Sequence, residues 1–421
     1  MMEHLLLFVA LAVGFYMAWN IGANDVANAF GTSVGSGALT MRRALLLAAI
    51  FEFSGAFFIG SHVANTIQGE IIRPVLFMAS PMDFAVGMLA ALLAASLWLN
   101  LATYFGQPVS TTHAIIGAVI GFGVVAHGPD SIQWYKLIRI AASWFVSPVV
   151  GALFGYLLYS LIRKTVLASR RPIESAKVAV PIGVAAVVLI LAYSILSDVL
   201  RRLVADGMSL TLPLPALVLG ASVIIAVGAG WLGRRLTCRR TYAVNDMAGE
   251  FRVVERWFGR LQVVTACYMA FAHGANDVAN AIAPVAGILN AVQGKMTETM
   301  TIPTWILAFG GLGIVVGLGT YGYKVIEAVG SKITEMTPTR GFCAAFGTAT
   351  TVLACSLMGL PVSTTFVLVG AVMGIGFARG FGAIDLKVVR RIFMSWVITV
   401  PVSALLAALI YFVLKHALVL T

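Results

Sequence analysis

"GANDVANA" spans Gly22–Ala29, and the same eight letters return at Gly274–Ala281. Each copy follows a long apolar run, Leu5–Trp19 and Val263–Ala272. Each carries one Asp among Asn residues, and neither contains Lys or Arg. An acid repeated in so apolar a setting needs a reason, and the reason fixes both the fold and the chemistry.

Composition identifies the solvent. The chain has 421 residues, 60% hydrophobic and only 11% charged, against about 45–50% and about 25% in an ordinary soluble domain. Runs long enough to cross about 30 Å of hydrocarbon recur throughout, including Phe84–Leu101, Ala176–Leu196, Leu212–Leu232 and Ile392–Leu414. No polar face accompanies them, which excludes a large soluble helical protein. The expected fold class is an all-α polytopic membrane protein with the lipid bilayer as its partner. The N-terminal apolar stretch lacks the basic flank and cleavage site of a signal peptide. Cys238, Cys267, Cys343 and Cys355 show no CxxC spacing and read as inert thiols. The net charge of +11 comes largely from loops between spans, the positive-inside pattern, so nucleic acid is not an expected partner.

Repetition organises the rest. "GQPVSTTHAIIGAVIGFG" from Gly106 is matched by "GLPVSTTFVLVGAVMGIG" from Gly359, and "RIAASWFVSPVVGALFGYLLYSLI" from Arg139 by "RIFMSWVITVPVSALLAALIYFVL" from Arg391. Two homologous halves, residues 1–163 and 253–421, therefore flank a central segment, 164–252. That segment holds two apolar runs between two basic loops, one with Arg163, Lys164, Arg170, Arg171 and Lys177, the other with seven arginines from Arg234 to Arg260. Two spans return the chain to the side it left, so both loops lie in the cytoplasm. The first half ends inside and the second begins inside, so the expectation is two inverted-topology repeats with both termini outside. Five membrane-entering helices per repeat plus two give about twelve, with re-entrant hairpins expected at Pro108 and Pro361.

An Asp at mid-membrane costs about 3 kcal/mol on insertion scales, which marks it as functional. Asn24 and Asn28, one turn apart, share a helix face, with Asp25 about 100° around. Asn276, Asp277 and Asn280 repeat the set. Nearby Gly22, Gly31, Gly35, Gly274, Pro284 and Gly287 suggest broken helices whose carbonyls would join these oxygens around a cation. Oxygen ligands suit a hard ion. The second motif reads as an anion site. Ser110, Thr111 and Thr112, and again Ser363, Thr364 and Thr365, follow a Pro that ends any preceding helix. Hydroxyls and free N–H groups at two opposed helix starts suit an oxyanion. Gln107 adds an amide where the other repeat has Leu360. His113, opposite Phe366 in the repeat, reads as a packed residue rather than a ligand.

These doubled phrases resemble the inorganic phosphate transporter (PiT) family, whose members include sodium–phosphate symporters and proton-coupled bacterial proteins. "FGTSVGSGALT" and "IFEFSGA" around Glu52 add to the likeness. The resemblance implies inverted repeats, about twelve helices and transport of inorganic phosphate with a cation, not an enzyme with a cofactor. On that basis Gln107, Ser110–Thr112 and Ser363–Thr365 are expected to hold phosphate. Asn24, Asp25, Asn28, Asn276, Asp277 and Asn280 would hold Na⁺, and Glu52 is a candidate coupling acid. Two carboxylates beside phosphate are prohibitive without counter-charge. With no Lys or Arg in either motif, the cations must supply it. Sodium is the expected coupling ion, and protonation of Asp25 and Asp277, giving H⁺ symport of phosphate or a metal–phosphate complex, is the alternative. The plasma membrane is the expected location, and lipid-facing apolar spans leave room for a homodimer.

Overall fold

The protein is described from a computed structural model, for residues 2–35, 37–104, 109–205, 207, 213–238, 246–297, 300–326, 336–380 and 386–419. It is helical: α1 (Met2–Gly35), α2 (Met41–Gly69), α3 (Pro81–Tyr104), α4 (Thr111–His127), α5 (Trp134–Ile162), α6 (Pro172–Ala205), α7 (Leu214–Cys238), α8 (Met247–Asp277), α9 (Ala279–Val292), α10 (Thr304–Gly317), α11 (Pro338–Leu357), α12 (Thr364–Arg379) and α13 (Leu386–Val419). Single π-turns extend α5 and α10, at Arg163–Leu167 and Leu318–Gly322. Eight helices among the described residues are long and apolar enough to cross a membrane. This is a multi-pass membrane architecture.

Where each helix sits follows from its sequence. The exposed apolar residues on α1, α5, α7 and α13, such as Phe8, Val149, Ile224 and Leu405, form a lipid-facing coat. At the centre α9 is buried from Ala279 to Ala291, together with the half of α8 from Thr265 to Asp277. A helix with no charged residue, and only Asn280 and Asn290 as polar side chains, belongs in such a place. Asp246 caps α8 by accepting from the Gly249 N–H at 3.0 Å. The central pair α6–α7 packs mainly on itself and on α8, and it is tied to α2 by polar contacts. Arg202 Nε lies 2.7 Å from Asp198 Oδ2, and the Arg202 guanidinium donates to the Phe58 carbonyl at 2.9 Å.

Elsewhere the helices pair across the chain. α1 lies on α10, α2 on α8, α4 on α13 and α5 on α12. Each pair runs in one direction. Ala18 meets Gly313 and Val26 meets Gly322, while Gly55 meets Phe271 and Gly60 meets Val278. Likewise Gly117 meets Val400 and Gly121 meets Ala404, while Gly151 meets Val367 and Gly155 meets Ala371. Backbone comes so close that a Cβ on Gly22 would overlap the Ile314 carbonyl, and one on Gly274 the Glu52 carbonyl. Small residues permit such approach where lipid offers no hydrophobic drive between helices.

One expectation fails in the first copy of the repeated phrase, whose glycines do not break the helix. α1 runs unbroken from Met2 to Gly35 through Asn24–Asn28. In the second copy the boundary between α8 and α9 is a single residue, Val278, with helical φ −55° and ψ −33°. Gly22 and Gly274 themselves lie inside helix and are used for contact with a neighbour.

The close contacts generate a stability test. Gly274→Ala should cost about 1–3 kcal/mol by overpacking, although Ala is otherwise the better helix former by up to about 1 kcal/mol. Gly220→Ala, on α7 with nothing within 4 Å of the added Cβ, should be neutral or stabilising. Thermal unfolding of the purified protein in detergent checks both, with a lower Tm expected for the first variant only.

Candidate functional site

Two helix starts meet inside the protein. Ser110 N-caps α4, its Oγ accepting from the His113 N–H at 3.3 Å. Ser363 precedes α12 without making that bond, so the two serines are not equivalent in use. Thr112 Oγ1 donates to the Val362 carbonyl at 3.2 Å, which ties the start of α4 to the segment leading into α12. At 17 and 16 residues, α4 and α12 fall short of the roughly 20 needed to cross hydrocarbon. Their N-terminal dipoles and free N–H groups are thus directed at a common interior region. Gln107 and Pro108 lie outside the described residues. His113 is packed edge-on against Trp144, with ring centres 3.9 Å apart, and beside Phe366.

The aspartate–asparagine phrases lie against these starts, with Asn28 and Asn280 on hydroxyls of the other half and Asp277 on one of its own. Asn28 Nδ2 donates to Thr365 Oγ1 at 3.0 Å. Asn280 Nδ2 donates to Thr111 and Thr112 Oγ1, both at 3.2 Å. Thr364 Oγ1 donates to Asp277 Oδ2 at 3.1 Å. Asp25 Oδ1 accepts from Asn28 at 3.3 Å. Asn276 braces the α11–α12 turn, donating to Ser356 Oγ at 2.9 Å and the Leu360 carbonyl at 3.4 Å and accepting from the Val362 N–H at 3.3 Å. Asn24 bonds only along its own helix, to the Asn20 carbonyl at 3.0 Å. Among the described residues Asp25 likewise hydrogen-bonds only within α1, to Asn28.

His273 enters the cluster without having been anticipated. Its Nδ1 lies 2.7 Å from Glu52 Oε2 and its Nε2 2.8 Å from Asp277 Oδ2, with all three side chains essentially unexposed. One ligand atom from each of Asp25, His273 and Asp277 lies within 4.8 Å of the other two. Asp277 Oδ1, Asn280 Oδ1 and Glu52 Oε1 are buried without a hydrogen-bond partner among the described residues. Orphaned acceptor oxygens next to carboxylates are what a cation would satisfy. The signal for His273 was present. It stands one turn before Asp277, where the first copy has Ile21 ahead of Asp25. Comparing the repeats for identity alone passes over it.

Glu52 has no acidic counterpart in the second half. The contact of Glu52 backbone with Gly274 is matched by that of Ile314 with Gly22. The pair Glu52–His273 is thus replaced by the apolar pair Ile314–Ile21, and the polar cluster is built on one side of the frame.

Comparison with known proteins identifies the family. Residues 21–407 match the phosphate transporter family. A putative phosphate permease of Chlamydia muridarum is 43% identical over 424 residues, covering 97% of this chain and 98% of the relative. One of Pyrococcus abyssi is 45% identical over 409 residues, covering 97% and 98%. The chloroplastic inorganic phosphate transporter 2-1 of Arabidopsis thaliana is 44% identical over 423 residues, covering 96% of this chain and 71% of the plant protein. A solved structure of a sodium-dependent phosphate transporter superposes with a TM-score of 0.89 at 40% identity, covering 98% and 99% of the two chains. The matched region includes both copies of both motifs, and the chain belongs to the phosphate transporter family.

Proposed function

We propose that this protein imports inorganic phosphate by symport with sodium, at a site between the N-termini of α4 and α12. One observation carries the reading: each half's asparagine reaches the other half's threonines, Asn28 to Thr365 and Asn280 to Thr111 and Thr112. Phosphate would take over these hydroxyls together with the N–H groups of both helix starts. The amide and carboxylate oxygens would then face cations. Asp25 and Asp277 add negative charge beside the anion, and no Lys or Arg stands in either motif. In a low-dielectric site that combination is unfavourable without counter-ions, so ion and phosphate are held together or not at all. The structural neighbour's sodium dependence supports sodium as the ion.

Two inverted repeats, 1–163 and 253–421, supply the moving parts on this reading, with 164–252 as a connecting pair of spans. Support comes from register. The first helix of each half runs parallel to the second of the other, α1 with α10 and α8 with α2. Successive spans reverse direction, so halves paired in this way are upside down relative to each other. Rocking of one against the other would expose the central site alternately. The positive-inside reading places both termini outside the plasma membrane.

A second reading, proton coupling, is favoured by the chain Glu52–His273–Asp277 at 2.7 and 2.8 Å, along which a proton could neutralise a carboxylate. Uptake of labelled phosphate into proteoliposomes under separately imposed sodium and proton gradients decides between them. Sodium-driven uptake is the expected result, and uptake that follows only the proton gradient would replace this reading by the second.

Three measurements on variants follow. Asp25→Asn and Asp277→Asn should each weaken sodium activation of uptake more than they lower thermal stability, because they delete charge at constant size. Thr112→Val and Thr365→Val remove a hydroxyl at constant shape. The lost bond to a charged ligand is worth about 1.5–3 kcal/mol, or roughly 10- to 150-fold in phosphate affinity, to be read in an equilibrium binding titration. For topology, single cysteines at Ser169 and Ala248 in a cysteine-free background should react only with reagent on the cytoplasmic side, and one at Asp206 only from outside.

A further inference from the structure

A second polar cavity lies away from the residues assigned above. It has a volume of about 320 Å³ and runs between the C-terminal end of α2, the start of α5 and the α11–α12 turn. Its walls carry His62, Asn65, Lys136 and Arg139, and its floor is the turn Leu357–Leu360. At roughly 30 Å³ per water it has room for a small ion with part of its hydration shell. On the topology above, the ends of α2 and α5 that form its mouth face outside.

The charges at the mouth do not cancel. Lys136 Nζ lies 2.7 Å from Glu70 Oε2, with both groups partly exposed. Arg139 is exposed and makes no hydrogen bond or ion pair with the described residues. Arg73 stands on the adjoining wall, in a cleft that shares Glu70 and Lys136. Three cations thus face one carboxylate. The floor joins this cavity to the central site. The Leu360 carbonyl on the cavity side accepts from Asn276 at 3.4 Å, and Asn276 is the neighbour of Asp277. The turn that separates the two spaces is tight, with Gly359 at φ +68° packed against Thr66 and His62 of α2.

We propose that this cavity is an outer waiting site, where Lys136 and Arg139 hold a small tetrahedral oxyanion above the Leu357–Leu360 turn before it enters the central site. Identifying the oxyanion as inorganic phosphate rests on the function proposed above. Glu70 has a place in the device. A transit site must bind well enough to collect the ion and weakly enough to release it, and a carboxylate paired with Lys136 lowers the hold of a purely basic cluster. Converging positive charge at a cleft also raises the capture rate of an anion, in proportion to how little salt screens it.

The test compares the Lys136→Gln/Arg139→Gln double variant with the native protein and with Arg201→Gln. The last removes one positive charge from an exposed position on α6 that does not line the cavity. Sodium-driven phosphate uptake is measured at about 0.02 M and about 0.3 M ionic strength. The double variant should raise the KM for phosphate about fivefold at low ionic strength, with the difference falling below about twofold at high ionic strength. Arg201→Gln should keep the native KM. An unchanged KM in the double variant at both ionic strengths, or an equal rise in Arg201→Gln, overturns the proposal. A second arm does not depend on transport. Met358→Cys, on the exposed part of the floor, is labelled from outside in a cysteine-free background with a membrane-impermeant thiol reagent. Inorganic phosphate should slow labelling with Lys136 and Arg139 present and have no effect once both are Gln. Labelling indifferent to phosphate in both backgrounds rejects the waiting site. If phosphate protects Met358→Cys but drives no sodium-linked uptake, the waiting site stands and the proposed symport falls.

Discussion

A carboxylate inside a membrane must find its partners within the protein, and the centre of this molecule is arranged around that requirement. Asp277 accepts from Thr364 and faces His273, Glu52 faces the other ring nitrogen, and Asp25 accepts from Asn28. Hydrocarbon offers nothing in exchange for a lost bond, so every element that brings a partner is held in place by the cost of removing it. The asparagines extend the same logic. Each of Asn28, Asn276 and Asn280 reaches a different helix or turn, so these bonds tie α1 to α12, α8 to α11 and α9 to α4.

The frame around this network is close to symmetric, and the chemistry within it is not. Gly22 on Ile314 matches Gly274 on Glu52, and Gly121 on Ala404 matches Gly374 on Ala152. The same backbone contacts thus support an apolar pair on one side and an ionisable pair on the other. A transporter assembled from two identical halves would present the same site whichever way it faced. Placing Glu52 and His273 on one side alone gives the site a distinct polar flank, while the hydroxyls and amides remain shared between the halves.

Much of this was legible in the sequence because it is written twice. Repetition of GANDVANA and PVSTT located the polar residues. Other features were not legible, for physical reasons. Gly22 and Gly274 read as helix breakers, since a glycine's letter does not say whether its missing side chain serves a turn or a neighbouring backbone. Asn24 matched Asn276 in sequence, but only Asn276 lies within reach of the opposing turn. The partnership of Glu52 with His273 joins residues on different helices, and no local pattern encodes such a distance. The cavity above the α11–α12 turn is likewise assembled from three separate segments, none of which is unusual by itself.

The exchanged pairing of the helices bears on how the chain is made. Glu52 meets His273 at a separation of 221 residues, and Asn28 meets Thr365 at 337. α1, α2, α4 and α5 each lie on a partner from the second half. As the chain is synthesised, the first half must therefore enter the membrane with Asp25 and Glu52 lacking their eventual neighbours, and wait through the whole central segment for them. Contacts so distant along the chain are slow to form, and the half-made protein carries its most costly groups during that delay. Water retained around those acids, or the insertion machinery itself, must shelter them until the second half arrives. The geometry that completes the finished site makes the unfinished one dependent on protection.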